Sequence, residues 1–263
     1  MEMLPPPPVP LRPDLAAAEP PPRRRFRAWA VVVSALLALS LAVAAVVPFL
    51  SGAGSEAASG FVFLAQTDGG RPVRWNPCEA IHYVVNASLA PPGSIEDVHE
   101  AVRRISAATG IVFVYDGLTH EQALSTHRDP FLPSLYGERW APVLVTWVDP
   151  DVSHIPFARG DHLASAVAAP LYPNGAPGEV YVSGWVALNA KDPNAPGFDR
   201  IDEQGPVILH ELSHVMGLGH VRVRGEIMHA AGGGVIDLGP GDKEGLRRLG
   251  ASGGCVPVPQ ARA

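Results

Sequence analysis

The chain has 263 residues, 47% of them apolar, and a formal net charge of −6. That is enough for one sizeable core plus extra segments. Residues 1–27 hold five arginines against three acidic residues, so the remainder carries −8. No basic face remains outside that first segment, and nucleic-acid binding has no electrostatic support. Only Lys191 and Lys243 among the 20 basic residues are lysine, which with the Ala, Gly, Pro and Val content points to GC-rich coding and a bacterial source.

Residues 1–27 form a proline-rich and then basic tail, with Pro5–Pro8 in a run and Arg23, Arg24, Arg25 and Arg27 at its end. Such a segment buries no apolar surface and is expected to be disordered or polyproline-like. No charge follows until Glu56, and residues 28–50 are an almost unbroken run of Ala, Val and Leu. As a helix this run is about 34 Å long, enough to cross a bilayer. The arginines before it place its start in the cytoplasm and everything after residue 50 outside. The expectation is an uncleaved single-pass signal-anchor. The alternative is a signal peptide cut in the small-residue stretch Ser51–Gly60, giving a secreted protein. Residues 51–70 are a spacer, flexible over Ser51–Ser59, with a short strand expected at Phe61–Ala65 and the main domain over 71–263.

Cys78 and Cys255 bracket nearly the whole globular region. In an oxidising compartment such a pair is expected to be a disulfide, the alternative being two unrelated buried thiols. Ile81–Val85 is a strand, with His82 a strand residue rather than a ligand. Ser94 is expected to cap a helix with Asp97 three residues on, and Ile95, Val98, Val102 and Ile105 form its apolar stripe. Gly110 stops that helix, and Ile111–Tyr115 is the next strand. Asp116–Arg139 is mostly loop, with a helical turn near Glu121 and surface histidines at 120 and 127. Val143–Val148 is a buried strand. Asp149-Pro150-Asp151 is a turn, and calcium there is possible but unsupported. Leu163–Ala169 and Glu179–Val186, joined by a turn containing Asn174-Gly175 and Pro177-Gly178, complete five strands.

The next stretch is His210-Glu211-Leu212-Ser213-His214-Val215-Met216-Gly217-Leu218-Gly219-His220. His210 and His214 lie one helical turn apart on one face and can share a metal ion. Glu211 sits about 100° round, near the ion but pointing past it, where a general base for a bound water belongs. Gly217 can take the left-handed conformation that ends a helix, and the chain can then return His220 as a third ligand. Three neutral imidazoles leave one position of a tetrahedral zinc open, as in a catalytic site. Asp199 or Asp202 is expected to cap this helix, with Val207, Leu209, Leu212 and Val215 or Met216 buried. Glycines 232–234 make a mobile segment, Gly239–Gly241 breaks the chain, and a last helix spans Asp242–Leu249.

His-Glu-x-x-His-x-x-Gly-x-x-His followed by Met228, within Glu226-Ile227-Met228-His229, resembles the signature of the metzincin zinc endopeptidases, most closely the matrixins. The resemblance implies an α+β metzincin-like catalytic domain, a twisted five-stranded mixed sheet with three helices. It implies one Zn²⁺ on His210, His214 and His220, Glu211 as general base, and Met228 as an apolar floor beneath the histidines. It also implies an edge strand near Leu163–Ala169 with which an extended protein or peptide substrate can pair, and a pocket wall from the segment between Met228 and Gly241. The departures are specific. Val221 follows the third histidine where matrixins usually have serine and astacins glutamate, and Ala230 stands where astacins have a zinc-reaching tyrosine. His154 and His162 do not complete the second-metal ligand set of matrixins. The function implied is extracytoplasmic endopeptidase activity by a monomer. The alternative is a catalytically idle zinc domain that binds at the cell surface.

Overall fold

The computed structural model describes residues 60–159, 162–163, 166–174, 178–230 and 234–261. The proline-rich tail, the expected span at 28–50 and the Ser51–Ser59 spacer lie outside them, as do residues 175–177 of the expected turn and glycines 232 and 233. Among the described residues no helix is long and apolar enough to cross a membrane.

In chain order the elements are β1 (Val62–Phe63), β2 (Ile81–Asn86), α1 (Ser94–Thr109), β3 (Phe113–Leu118), α2 (Pro133–Tyr136), β4 (Val143–Val148), β5 (Ala158–Arg159), β6 (His162–Leu163), β7 (Ala166–Leu171), β8 (Ser183–Asn189), α3 (Gln204–Met216), β9 (Leu218–Gly219) and α4 (Pro240–Leu249). The architecture is α+β, built on a five-stranded mixed sheet in the order β3-β2-β4-β8-β7. Four strands run parallel and β7 closes one edge antiparallel. The central strands β4 and β8 are buried at every residue, as expected of strands covered on both faces.

The two faces separate by the period of the pleat. Tyr83, Val85, Val143, Val145, Trp147, Val186 and Leu188 face one way and share a core with α1 and α3. Val84, Leu144, Val148, Trp185 and Ala187 face the other way and pack under Ala123, Ile155 and Phe157 of the long connections. Those connections are pinned by a buried ion pair. Arg128 donates to Glu121 at 2.7 Å and to the carbonyls of Pro142 and Gly184, while Tyr136 Oη donates to Glu121 at 2.6 Å. The expected helical turn near Glu121 is absent. Its carboxylate instead neutralises a buried guanidinium, and the fourth helix, the single turn α2, forms further on.

Other expectations shift for tertiary reasons. The stripe Val98, Val102 and Ile105 is buried on α1 as its 3.6 period requires. Ser94, however, does not cap the helix. Gly93, with φ 99, precedes it, and Ser94 Oγ donates across the core to Gln204 Oε1 at 2.9 Å. Trp147 Nε1 donates to the same oxygen at 3.3 Å, so one buried amide ties α1, β4 and α3 together. Asp97 accepts from Gly197 N at 2.8 Å, serving the loop before α3 rather than its own helix. The strands expected at 111–115, 163–169 and 179–186 form later, as β3, β7 and β8. Leu163 belongs to the β5–β6 hairpin, and Val180 bridges Arg74 instead of joining the sheet. Asp149 and Asp151 form a turn whose carboxylates meet the Lys191 ammonium at 2.9 and 2.5 Å.

Residues of the expected spacer enter the fold. Phe61 is buried, and β1 pairs antiparallel with β9. Cys78 and Cys255 form a disulfide across 177 residues of sequence. On the loop-entropy account a closure of this length stabilises the fold by ~5 kcal/mol. Cys255→Ser is therefore expected to lower the unfolding free energy by about 2–5 kcal/mol, read from urea denaturation beside the wild type. An unchanged midpoint would show that the closure adds nothing.

Candidate metal centre

The site begins with α3, whose Ile208, Leu209, Leu212, Val215 and Met216 are buried. The helix is therefore fixed in rotation about its axis, with Val207 only half-buried. Neither Asp199 nor Asp202 caps it. Glu203 precedes the helix, and its carboxylate accepts from the amides of Asp199 and Arg200, while Asp202 pairs with Arg200. At the other end the Gly217 amide donates to His214 O at 2.9 Å, and Trp75 Nε1 donates to Val215 O at 2.9 Å.

Gly217 has φ 110, and a Cβ there would meet Tyr181 Cε2 at 3.0 Å. This left-handed residue turns the chain into β9, which pairs with β1, and His220 follows immediately.

The three imidazoles converge. His220 Nε2 lies 3.1 Å from His210 Nε2 and 3.1 Å from His214 Nε2. A tetrahedral ion with imidazole bonds of about 2.0–2.1 Å sets its ligand atoms roughly 3.3 Å apart, so the spacing suits one shared ion. Among the described residues this is the one group of three or more metal-ligating side chains gathered within 4.8 Å.

The opposite ring nitrogens fix the tautomers. His210 Nδ1 lies 2.6 Å from Ile227 O, and His214 Nδ1 lies 2.7 Å from Leu218 O. A carbonyl only accepts, so each Nδ1 must carry the hydrogen and donate it. The lone pair of each Nε2 is thereby left toward the centre. Two lone pairs beside a third nitrogen are mutually repulsive unless a cation lies among them, and His220 can offer a hydrogen to only one of the two. Burial holds the His210 imidazolium down, to about 4, with His220 reinforcing the effect and the Ile227 bond opposing it. His210 is therefore a neutral imidazole near pH 7, the form that could bind a metal ion. The donor set fits a borderline divalent ion of the zinc type.

Glu211, next to His210 on α3, is buried. Met228 is fully buried in the core that includes Leu209, Leu212 and Val215. Its carbonyl accepts from Val221 N at 2.9 Å, locking the turn to the residue after His220. His82 lies on β2 against Asp116, and His120 and His127 are exposed on the surface.

Two carboxylates that sequence reasoning missed hold this turn. Asp242 accepts from the amides of Ile227, Met228 and Gly239, and Glu226 accepts from those of Gly241 and Asp242. Glu226 thus caps α4, while Asp242 reaches back to the residue whose carbonyl orients His210. Position three of a helix that starts with Pro240 is a recognisable capping place, but nothing local signals a reach of 15 residues.

No known family model matches this sequence, and no curated protein matches it.

Each of His210→Ala, His214→Ala and His220→Ala is expected to reduce bound divalent metal from about one ion per chain to a small fraction, by elemental analysis. A variant that keeps a full ion would put the ion elsewhere. Burial pushes the Asp242 carboxyl up to about 6, with the Glu226 charge adding to it and the three amides opposing. The folded state therefore holds this proton more tightly than the unfolded state does. The stabilisation is present below the ordinary value of 3.8 and is lost as pH rises through about 6. In urea unfolding at about pH 4 and about pH 7, the stability lead of wild type over Asp242→Asn should narrow at the higher pH. A constant difference would show that Asp242 does not titrate in this window.

Proposed function

We propose that this chain is a zinc-dependent endopeptidase of the metzincin type, matrixin-like, anchored by residues 28–50 with its catalytic domain outside the cytoplasm. One observation carries the reading: three imidazole Nε2 atoms converge, two of the rings are locked to backbone carbonyls, and the buried residue that follows His210 on its helix is a glutamate. The burial of Met228 in a turn tied to the residue after His220 supports a methionine turn. The position of β7 at an edge of the sheet, against α3, supports capture of an extended peptide as an added strand.

The zinc ion, when bound, supplies Lewis acidity that makes water a nucleophile near neutral pH and polarises the scissile carbonyl. The remaining steps belong to the chain. His210 and His214 keep their Nδ1 protons on Ile227 O and Leu218 O, so neither ring can turn its hydrogen toward the substrate. Glu211 takes a proton from the attacking water on a carboxylate oxygen as the new C–O bond forms. It then hands that proton to the amine as the C–N bond breaks. The carboxylate ends the cycle as it began, ready for the next substrate.

Glu211→Ala is expected to lower kcat/KM on a casein-derived peptide by about 10²–10⁴-fold while metal content stays at the wild-type level. Chelator should abolish the wild-type activity. A zinc-loaded Glu211→Ala chain that cleaves at the wild-type rate would remove the proposed role of the glutamate, and cleavage indifferent to chelator would remove the metal mechanism.

A further inference from the structure

The sequence suggests no basic face outside residues 1–27, yet the fold brings four arginines of this acidic chain to one cavity. Arg71, Arg74, Arg247 and Arg248 line a space of about 630 Å³, with Glu179 also on its wall. None of the lining residues belongs to the histidine centre.

The charges there are not balanced. Arg247 and Arg248 share the single carboxylate of Glu244. Among the described residues no carboxylate pairs with Arg71 or Arg74, so four guanidiniums meet two acidic side chains, Glu244 and Glu179. Arg74 is only 8% exposed. Its Nη2 donates to Gly253 O at 2.6 Å, while its Nη1 is buried without a hydrogen-bond partner. Burial, reinforced by the neighbouring charge of Arg71, holds the pKa of Arg74 below the ordinary arginine value. A second donor on the same wall is also unpaired, for Thr67 Oγ1 is buried with no partner. Buried charge without a counter-charge is costly, and an anion in the adjoining cavity offsets that cost.

The cavity is built from parts distant in sequence that the fold holds together. Gly253 lies so close over Arg74 that a Cβ would come within 2.9 Å of its Cζ. The disulfide at Cys255 follows two residues later.

We propose that this cavity binds a phosphate-bearing ligand, taken by the guanidinium groups that Arg71, Arg74, Arg247 and Arg248 bring to its wall. Guanidinium forks match phosphate oxygens bidentately, and a doubly charged tetrahedral anion answers this charge excess better than one carboxylate. The space exceeds a bare phosphate, so the ligand carries more than that group. A soluble phosphate monoester and a phospholipid headgroup both present tetrahedral phosphate oxygens to guanidinium forks, the monoester with up to two negative charges and the headgroup diester with one.

The test is isothermal titration of the full-length chain in neutral detergent, with chelator present so that no ion in the histidine centre contributes. The probes are inorganic phosphate, pyrophosphate and the headgroup diester glycerophosphoglycerol. Pyrophosphate should bind saturably and weaken as salt is added, and Arg71→Glu should weaken it roughly tenfold or more. Arg200→Glu, an exposed arginine paired elsewhere with Asp202, should leave it unchanged. Arg71 is exposed, so its variant should fold, which a thermal melt checks, and Arg247→Glu is the second variant. Competition by the diester assigns the headgroup source, and its failure to compete assigns a soluble monoester. Absence of saturable binding by all three probes, or binding equal in wild type and both cavity variants, overturns the proposal.

Discussion

Everything at the histidine centre depends on a reversal of the chain at Gly217. The helix that carries His210 and His214 must end within a few residues of them if a third imidazole is to return. Only a residue free of a β-carbon can take φ 110 there beneath Tyr181. The same turn brings Leu218 O to His214 Nδ1 and sends β9 alongside β1. One backbone conformation thus ends the helix, orients the His214 imidazole and brings β9 alongside β1.

A second constraint works from the opposite side of the centre. His210 donates to Ile227 O, Ile227 N donates to Asp242, and Asp242 N donates to Glu226. These contacts run from an imidazole through the methionine-containing turn to the start of α4. The two carboxylates are buried where they repel each other, and backbone amides offset that repulsion. The turn is consequently held by charge-assisted hydrogen bonds as well as by the packing of Met228.

The sheet provides the stiffness on which both constraints act. Helices cover one face and long connections the other, so β4 and β8 meet no water on either side. The buried amide of Gln204 joins α1, β4 and α3 at one point and fixes how α3 lies on the sheet. Rigid support of this kind holds a centre in which His220 Nε2 lies 3.1 Å from each of the other two imidazole Nε2 atoms.

What the sequence determined by itself is whatever depends on local spacing and side-chain identity. His210, Glu211 and His214 belong together because a helix has 3.6 residues per turn. The α1 stripe and the apolar run of β4 follow from period and composition, and the cysteine pair from its position at the two ends of the domain. Tertiary structure alone decided the roles of Ser94 and Asp97, which find their partners far along the chain, and the reach of Asp242 beyond its own turn to Ile227 and Met228. It also chose the carbonyls of Ile227 and Leu218 as the acceptors that orient the histidines, and the four arginines that share one cavity. A backbone carbonyl has no residue identity to read, and long-range pairing is set by how the layers pack. Neither leaves a mark on the sequence until the chain has folded.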